Sequence, residues 1–285
     1  MSKETAVEVK IACKELCVSR SGYYSWKDRP VSPRELSNEI LTQKIRAIHT
    51  DSGGTYGLPR IQQKLKEDGM LCGKNRVFKL MRNAEISGVI KKRFKIQTTD
   101  SNHSLSIAPR VFKVEEPATH PSRANEVWVS DISYIPTTEG FLYLATYLDV
   151  FTRKVVGFAM DDQMSTSLIQ SALTMALGRQ DLASGMLITH SDRGSRYASS
   201  HYRAQLKSLK IVASMSRKGN CYDNSFAESF FATLKKELIY RKEYKNKQEA
   251  KKDIFQFIEI WYNRKRIHSS IGYMTPVQFE ESLVA

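Results

Sequence analysis

A mixed α/β sheet domain preceded by a smaller all-helical region is the architecture that this 285-residue chain predicts, and three observations carry it. Three β-rich runs, at 126–135, 141–150 and 154–161, are separated only by the turns PTTEG and FTR, as in an antiparallel meander. Beyond residue 161 helical and strand patterns alternate, which adds parallel strands and puts helices on both faces of the sheet. The first 95 residues instead carry helical segments with start and stop signals.

Taken in order, residues 37–49 space Ile40, Leu41, Ile45 and Ile48 as one face of an amphipathic helix. DSGGTYG at 51–57 breaks it. Residues 59–69 restart with Pro59 in the first turn and stop at Gly69. In 73–87, Val77, Leu80 and Met81 form a buried stripe that leaves Lys74, Arg76, Lys79 and Arg82 outward. Two short helices joined by a tight turn, the second basic, make a helix-turn-helix pattern. Residues 96–122 are polar and Pro-containing without helical period, and read as a linker between a 1–95 region and a 123–285 domain. In that domain the meander is followed by a helix at 165–178, a strand at 185–192, a helix at 199–208 and a strand at 210–216. Helices at 223–240 and 247–265 close the chain as a C-terminal extension.

The chain carries 44 Lys+Arg against 30 Asp+Glu, a net of +14, with 41% hydrophobic residues, so a core can form and a tail-like polycation is excluded. The excess is concentrated: residues 59–113 hold 13 basic and 4 acidic side chains, peaking in KKRFK at 91–95. Arg60, Lys74, Arg76, Lys79, Arg82, Lys91, Lys92 and Arg93 are therefore candidate DNA contacts, and double-stranded DNA is the expected partner. Four scattered cysteines exclude a disulfide scaffold, and none has zinc-site spacing. The longest apolar stretch, 141–151, is about half a membrane span, and the N-terminus lacks a signal-peptide core. A soluble, cytoplasmic protein that associates with the nucleoid on DNA is the expectation.

Three carboxylates stand out. Asp131 interrupts an apolar strand, where an acid is costly unless paired or bound to metal. Asp192 ends the strand LITHSD, the strand end at which α/β sheets place ligands. Glu228 lies on the 223–240 helix, with Lys235 seven residues later on the same stripe. Converging carboxylates cannot all stay ionised without cations, and Mg²⁺ suits oxygen donors plus phosphate. Two such ions would serve an in-line phosphodiester attack, with Mn²⁺ able to substitute. Each acid alone also reads as a cap or salt-bridge partner; Asp223 and Asn224 are good helix caps, and Asp149, Asp161 and Asp162 lie at strand ends.

WVSDISYI, THSDRGSRYAS, KGNCYDNSFAESFFATLKKEL and WYNRKRIHSSIGYMTP, with SRSGYYSW and YGLPRIQQKLKEDG near the start, resemble the bacterial insertion-sequence transposases of OrfB type. The resemblance covers nearly the whole chain. It implies a ribonuclease H-like, retroviral-integrase-like DDE core, with Asp131, Asp192 and Glu228 holding the catalytic metals and Lys235 beside them on terminal DNA. It also implies binding of the element's inverted repeats, 3′-end cleavage, and strand transfer into target DNA without a covalent enzyme intermediate. A homodimer or larger assembly on DNA follows from paired-end chemistry, and an upstream-frame OrfA protein is a candidate partner because no sustained heptad is present. Asp131 is the candidate for the ligand bridging both ions.

Weaker candidates have duller readings beside them. Arg264, Arg266 and His268 face DNA phosphates or form a solvated helix end. His190 orients a carboxylate or packs structurally; Asn224 holds the Glu228 helix or caps it; Tyr197 and Tyr222 stack on bases or pack in the core. A nuclease on the same fold that cuts without joining, and a non-catalytic DNA-binding regulator, are the rival readings.

Overall fold

The computed structural model describes residues 9–89, 105–180, 182, 187–218 and 221–283. The chain folds as two compact units, Met1–Ser87 and Gly88–Ala285.

The first unit is helical. Helices α1 (Val9–Glu15) and α2 (Arg20–Lys27) precede α3 (Pro33–Asp51), which opens with a reciprocal capping box between Ser32 and Glu35. Helices α4 (Leu58–Glu67) and α5 (Lys74–Asn83) follow, and Gly69 takes a φ of 76° in the turn between them. Leu41, Ile45 and Ile48 of α3 pack with Ile61, Leu65, Val77, Leu80 and Met81. Ile40 does not join them; it is exposed. Arg76 departs from its expected role as an outward phosphate contact. Its Nε donates to Asn38 Oδ1 at 2.8 Å and its Nη2 to Ser37 Oγ at 2.8 Å, so it straps α5 to α3.

The second unit is a five-stranded sheet in the order β3-β2-β1-β4-β5. Strands β1 (Val127–Thr137), β2 (Gly140–Asp149) and β3 (Val155–Asp161) form the antiparallel meander. Helix α6 (Thr166–Arg179) leads to β4 (Ile188–Ser191), parallel to β1, and α7 (Ser200–Ser208) leads to β5 (Val212–Met215), parallel to β4. Helices α8 (Ser225–Glu237), α9 (Lys247–Gln256) and α10 (Pro276–Ser282) complete it, with α9 running on into a π-helical turn at Phe257–Tyr262.

Strand alternation divides the core into two layers. Val127, Val129, Leu142, Leu144 and Phe158 pack against Phe230 and Leu234 of α8 and Ile254 of α9. Trp128, Ala145, Tyr147 and Val156 pack on the other face against α6 and α7. Helix α6 approaches β3 so closely that a Cβ on Gly157 would sit 2.4 Å from the Ala172 carbonyl oxygen and 2.6 Å from Ala176 Cβ. Gly157→Ala is expected to cost about 3 kcal/mol, the upper range for overpacking, as read by urea unfolding of the full chain.

The expected 96–122 linker differs from what its described part does. Residues 96–104 lie outside the described residues, but Phe112 is fully buried in the α8-side core. The backbone N–H groups of Val111 and Phe112 donate to Ser214 Oγ at 3.0 and 3.1 Å. An irregular segment can pack through single side chains and backbone donors, which periodicity does not reveal. Among the described residues no helix is long and apolar enough to cross a membrane.

Candidate active site

The alternation that buries Val127 and Val129 on the α8 side sends Asp131 to that side too. Strand β4 pairs with β1 at a constant offset of 61 positions: Val127 with Ile188, Trp128 with Thr189, Val129 with His190. β4 ends at Ser191, one residue before Asp192; carried two residues past the last pair, the same offset would bring Asp192 level with Asp131 on the same side. Neighbouring strands lie about 4.8 Å apart, so the two acids would share one face of the sheet at the central β1–β4 seam. Helix α8, whose Ala227, Phe230, Phe231 and Leu234 are buried, carries Glu228 on the same layer.

Electrostatics registers the convergence. Burial pushes the Asp131 carboxyl well above its ordinary value; the charge of Asp192 adds to this, as does that of Glu228, while Lys235 opposes them. The carboxyl lies deep among protein atoms although the residue keeps some accessible surface. Asp131 Oδ1 also accepts from the Ile132 N–H at 2.8 Å. Glu228 is exposed to solvent, and the protein atoms packed around its carboxyl still raise it above its ordinary value. Burial lowers the Lys235 ammonium, with Asp131 pulling it back up, and Lys235 Nζ lies 5.2 Å from the Tyr134 ring centroid. Asp192 Oδ1 accepts from the Gly194 N–H at 2.9 Å, so this acid also shapes its turn.

Among the described residues no group of three or more His, Cys, Asp or Glu side chains is packed tightly enough to enclose an ion. Asp192 and Glu228 each act on the Asp131 carboxyl without closing a cage around it. Their donor chemistry nevertheless fits a partly hydrated divalent cation. The three carboxylates supply hard oxygens, and two buried oxygens nearby have no hydrogen-bond partner. These are Thr146 Oγ1, opposite Asp131 on β2, and Oδ1 of Asn224, whose amide reaches the residue before Asp131.

The supporting candidates separate clearly. His190 is fully buried, with Nδ1 2.9 Å from Ser214 Oγ. That hydroxyl already accepts two backbone N–H groups, so its own proton goes to Nδ1 and the imidazole is neutral. Burial agrees, lowering the ring to about 4. His190 is thus a structural fastener. Tyr197 is buried, bonded to Ser130 Oγ at 2.8 Å, and packs in the core; Tyr222 is 77% exposed. Asp149 accepts from Asn125 N, Thr152 N and Thr152 Oγ1, and so closes a turn.

Two expected DNA contacts lie inside the protein and not on its surface. Arg266 is buried, and its guanidinium donates to Glu237 at 2.8–3.1 Å. His268 is buried, its ring centroid 4.8 Å from that of Tyr262. Glu237, the last residue of α8, outcompetes solvent for Arg266, while His268 is seated by the Tyr262 ring and by its backbone N–H on the Met274 carbonyl. Arg264 is exposed, as are Lys74, Lys79 and Arg82; Arg60 lies over the Tyr56 ring at 5.5 Å. Lys91, Lys92 and Arg93 lie outside the described residues.

Sequence reasoning missed the role of Asp223. It is 1% exposed and accepts from Arg110 Nη2 at 2.7 Å and from Arg217 N, Nε and Nη2 at 2.7, 3.1 and 2.9 Å. Burial raises its carboxyl, but the Arg217 hydrogen bonds and the two guanidinium charges prevail and hold it below its ordinary value. Glu115 adds ion pairs to both arginines. The sequence signal was an acid just before a helix, which reads as an ordinary cap.

Comparison with known proteins accounts for this layout. Residues 121–221 and 209–276 match two models described as integrase core domains, and residues 35–94 match an HTH-like domain. The chain is 42% identical over 94% of its length to the 31 kDa protein of insertion element IS600 from Shigella sonnei, covering 97% of that protein. It is 34% identical over 97% of its length to transposase InsF of insertion sequence IS3A from Escherichia coli K12, covering 95% of it. Among solved structures, the HTLV-2 integrase catalytic core domain aligns with 56% of this chain and 99% of its own, at a TM-score of 0.44 and 16% identity. The chain therefore belongs to the IS3 family of insertion-sequence transposases, DDE polynucleotidyl transferases in whose sequence an integrase core follows a helix-turn-helix-like region.

Proposed function

We propose that this chain binds the terminal inverted repeats of its element, cuts one strand at each end, and joins the freed 3′-OH to a second phosphodiester. The observation that supports this reading is that Asp192, one residue past β4, and Glu228 on α8 both act on the carboxyl of Asp131 in β1. In the cut, a water oxygen bonds to phosphorus, the P–O3′ bond breaks, and the 3′ oxygen leaves with a proton. In the transfer, that 3′ oxygen bonds to a new phosphorus and displaces another 3′ oxygen, so no cofactor is consumed.

Asp131, Asp192 and Glu228 would hold a pair of divalent cations, magnesium by the hardness of the donors, which when bound supply activation of the attacking oxygen and neutralise charge on the leaving one. Asp131 is the carboxyl on which both other acids act. Lys235, with Nζ 5.2 Å from the Tyr134 ring centroid and its charge acting on Asp131, would meet a DNA phosphate beside the reacting one. The exposed cations of α5, Lys74, Lys79 and Arg82, supply phosphate contacts in the first unit.

A labelled duplex ending in the element's terminal repeat, incubated with a plasmid target and Mg²⁺, tests the whole reading. Covalent joining of label to plasmid is expected, with at least two protomers per joined pair. Cutting without joining favours a nuclease, and binding without strand chemistry, even with an upstream-frame protein added, favours a regulator. For the first unit, each phosphate contact removed should flatten the log affinity–log salt slope by about 0.9. The triple change Lys74→Ala, Lys79→Ala and Arg82→Ala is therefore expected to flatten it by roughly 2.7, read by fluorescence anisotropy across a salt series. An unchanged slope would remove this face from the DNA contact.

A further inference from the structure

We infer that Asn224 is a positioning residue for Glu228: its side chain ties the start of α8 to the strand that carries Asp131. The inference rests on the assignment of Asp131 and Glu228 to the active site and extends it to a residue outside the triad.

Asn224 occupies the N-cap position of α8, where an asparagine side chain ordinarily accepts from the N–H two or three residues on, at a gain of about 1 kcal/mol. It makes no such bond here. Its Nδ2 donates instead to the carbonyl oxygen of Ser130, at 3.3 Å, the residue immediately before Asp131. The other amide atom, Oδ1, is buried without a hydrogen-bond partner. The residue thus forgoes its cap and leaves a polar atom unsatisfied, two costs that a purely structural asparagine at this position avoids.

The neighbouring residue fixes the same point to other parts of the unit. Asp223, through Arg110 and Arg217, binds the turn that precedes α8 to the 110–115 segment and to the residue two beyond β5. The core already holds the body of α8 through Ala227, Phe230, Phe231 and Leu234. What the Asn224 bond adds is a fixed separation between β1 and the first turn of α8. Glu228 lies four residues beyond Asn224, about one helical turn. A shift of that turn moves Glu228 relative to Asp131 and leaves the hydrophobic contacts of α8 largely in place.

Asn224→Ser separates this role from a structural one. Serine is a good N-cap, so stability is retained, but it is too short to reach the Ser130 carbonyl. In the full chain, binding of Mn²⁺ alone, followed by the loss of the free-ion resonance, is expected to weaken about tenfold. Cleavage of a duplex ending in the terminal repeat is expected to fall at least tenfold at low Mg²⁺ and to recover partly at high Mg²⁺. The melting temperature should stay within about 2 °C of the native value, and duplex affinity should not change. Asn224→Gln keeps the amide donor on a longer arm and is expected to restore part of the lost Mn²⁺ affinity.

Native Mn²⁺ affinity and native metal dependence in Asn224→Ser would overturn the inference, whether or not stability falls. So would an equal loss of Mn²⁺ affinity in Asn224→Gln. Glu228→Gln serves as the control: if it binds Mn²⁺ and cuts as the native chain does, the failure lies in the assignment of Glu228 itself.

Discussion

Asp131→Asn is expected to lower strand cleavage in Mg²⁺ by about 10³-fold or more, equivalent to about 4 kcal/mol of transition-state stabilisation. The same change is expected to leave duplex affinity unaltered and to raise the thermal stability of the metal-free protein. The two effects have one cause. Burial and the charges of Asp192 and Glu228 hold the Asp131 carboxyl well above its ordinary value. Its ionised form therefore costs folding free energy at neutral pH, and the cost is fully present once the pH exceeds the raised folded-state value. Asparagine keeps the shape and removes the charge, and with it the attraction that a divalent cation would exploit. Activity and stability should thus move in opposite directions, which a merely structural acid in a strand would not produce. Gel analysis of end-labelled cleavage beside a melting curve reads both. Cleavage above one tenth of the native rate would take Asp131 out of the reaction.

The acid pair was legible in the sequence for a geometric reason. The strand and helix order predicts a mixed sheet that can bring the two acids together, and the structure supplies the β1–β4 pairing, whose offset equals the 61 positions from Asp131 to Asp192. Glu228 was legible only as a residue on a late helix, because nothing in a helical pattern fixes which sheet edge it covers. Asn224 and Asp223 read as caps for the same reason. Their actual partners, Ser130 and the Arg110–Arg217 pair, lie 94, 113 and 6 positions away, and for the first two no local pattern encodes the contact. Around Phe112 absence of period does not mean absence of packing, since one aromatic ring and two backbone donors suffice to seat the segment. Basic residues were the least legible class. Lys79 and Arg76 look alike in the sequence, yet Arg76 is spent on α3, whereas Lys79 is exposed.

Arg266 shows how large the consequence of such a misreading is. As a phosphate contact its loss would weaken DNA binding and leave the fold alone. In the structure its side chain and that of Glu237 are 7% and 8% exposed, and both carboxylate oxygens of Glu237 accept from the guanidinium. Trp261 Nε1 donates to Glu237 Oε2 at 3.0 Å, which joins the π-helical turn to the same carboxylate. Removing one partner strands the other charge in the interior, so Glu237→Ala is expected to cost about 3–5 kcal/mol in urea unfolding. Replacing both partners with apolar side chains removes the stranded charge; Glu237→Leu with Arg266→Met should be destabilised by about 2 kcal/mol or less. That non-additivity is the signature of a buried pair. If Arg266→Met instead lowers duplex affinity by tenfold while unfolding at the native urea midpoint, the arginine serves DNA and the pairing with Glu237 is incidental. The expectation is the reverse: a large loss of stability, and a duplex affinity per folded molecule that does not change.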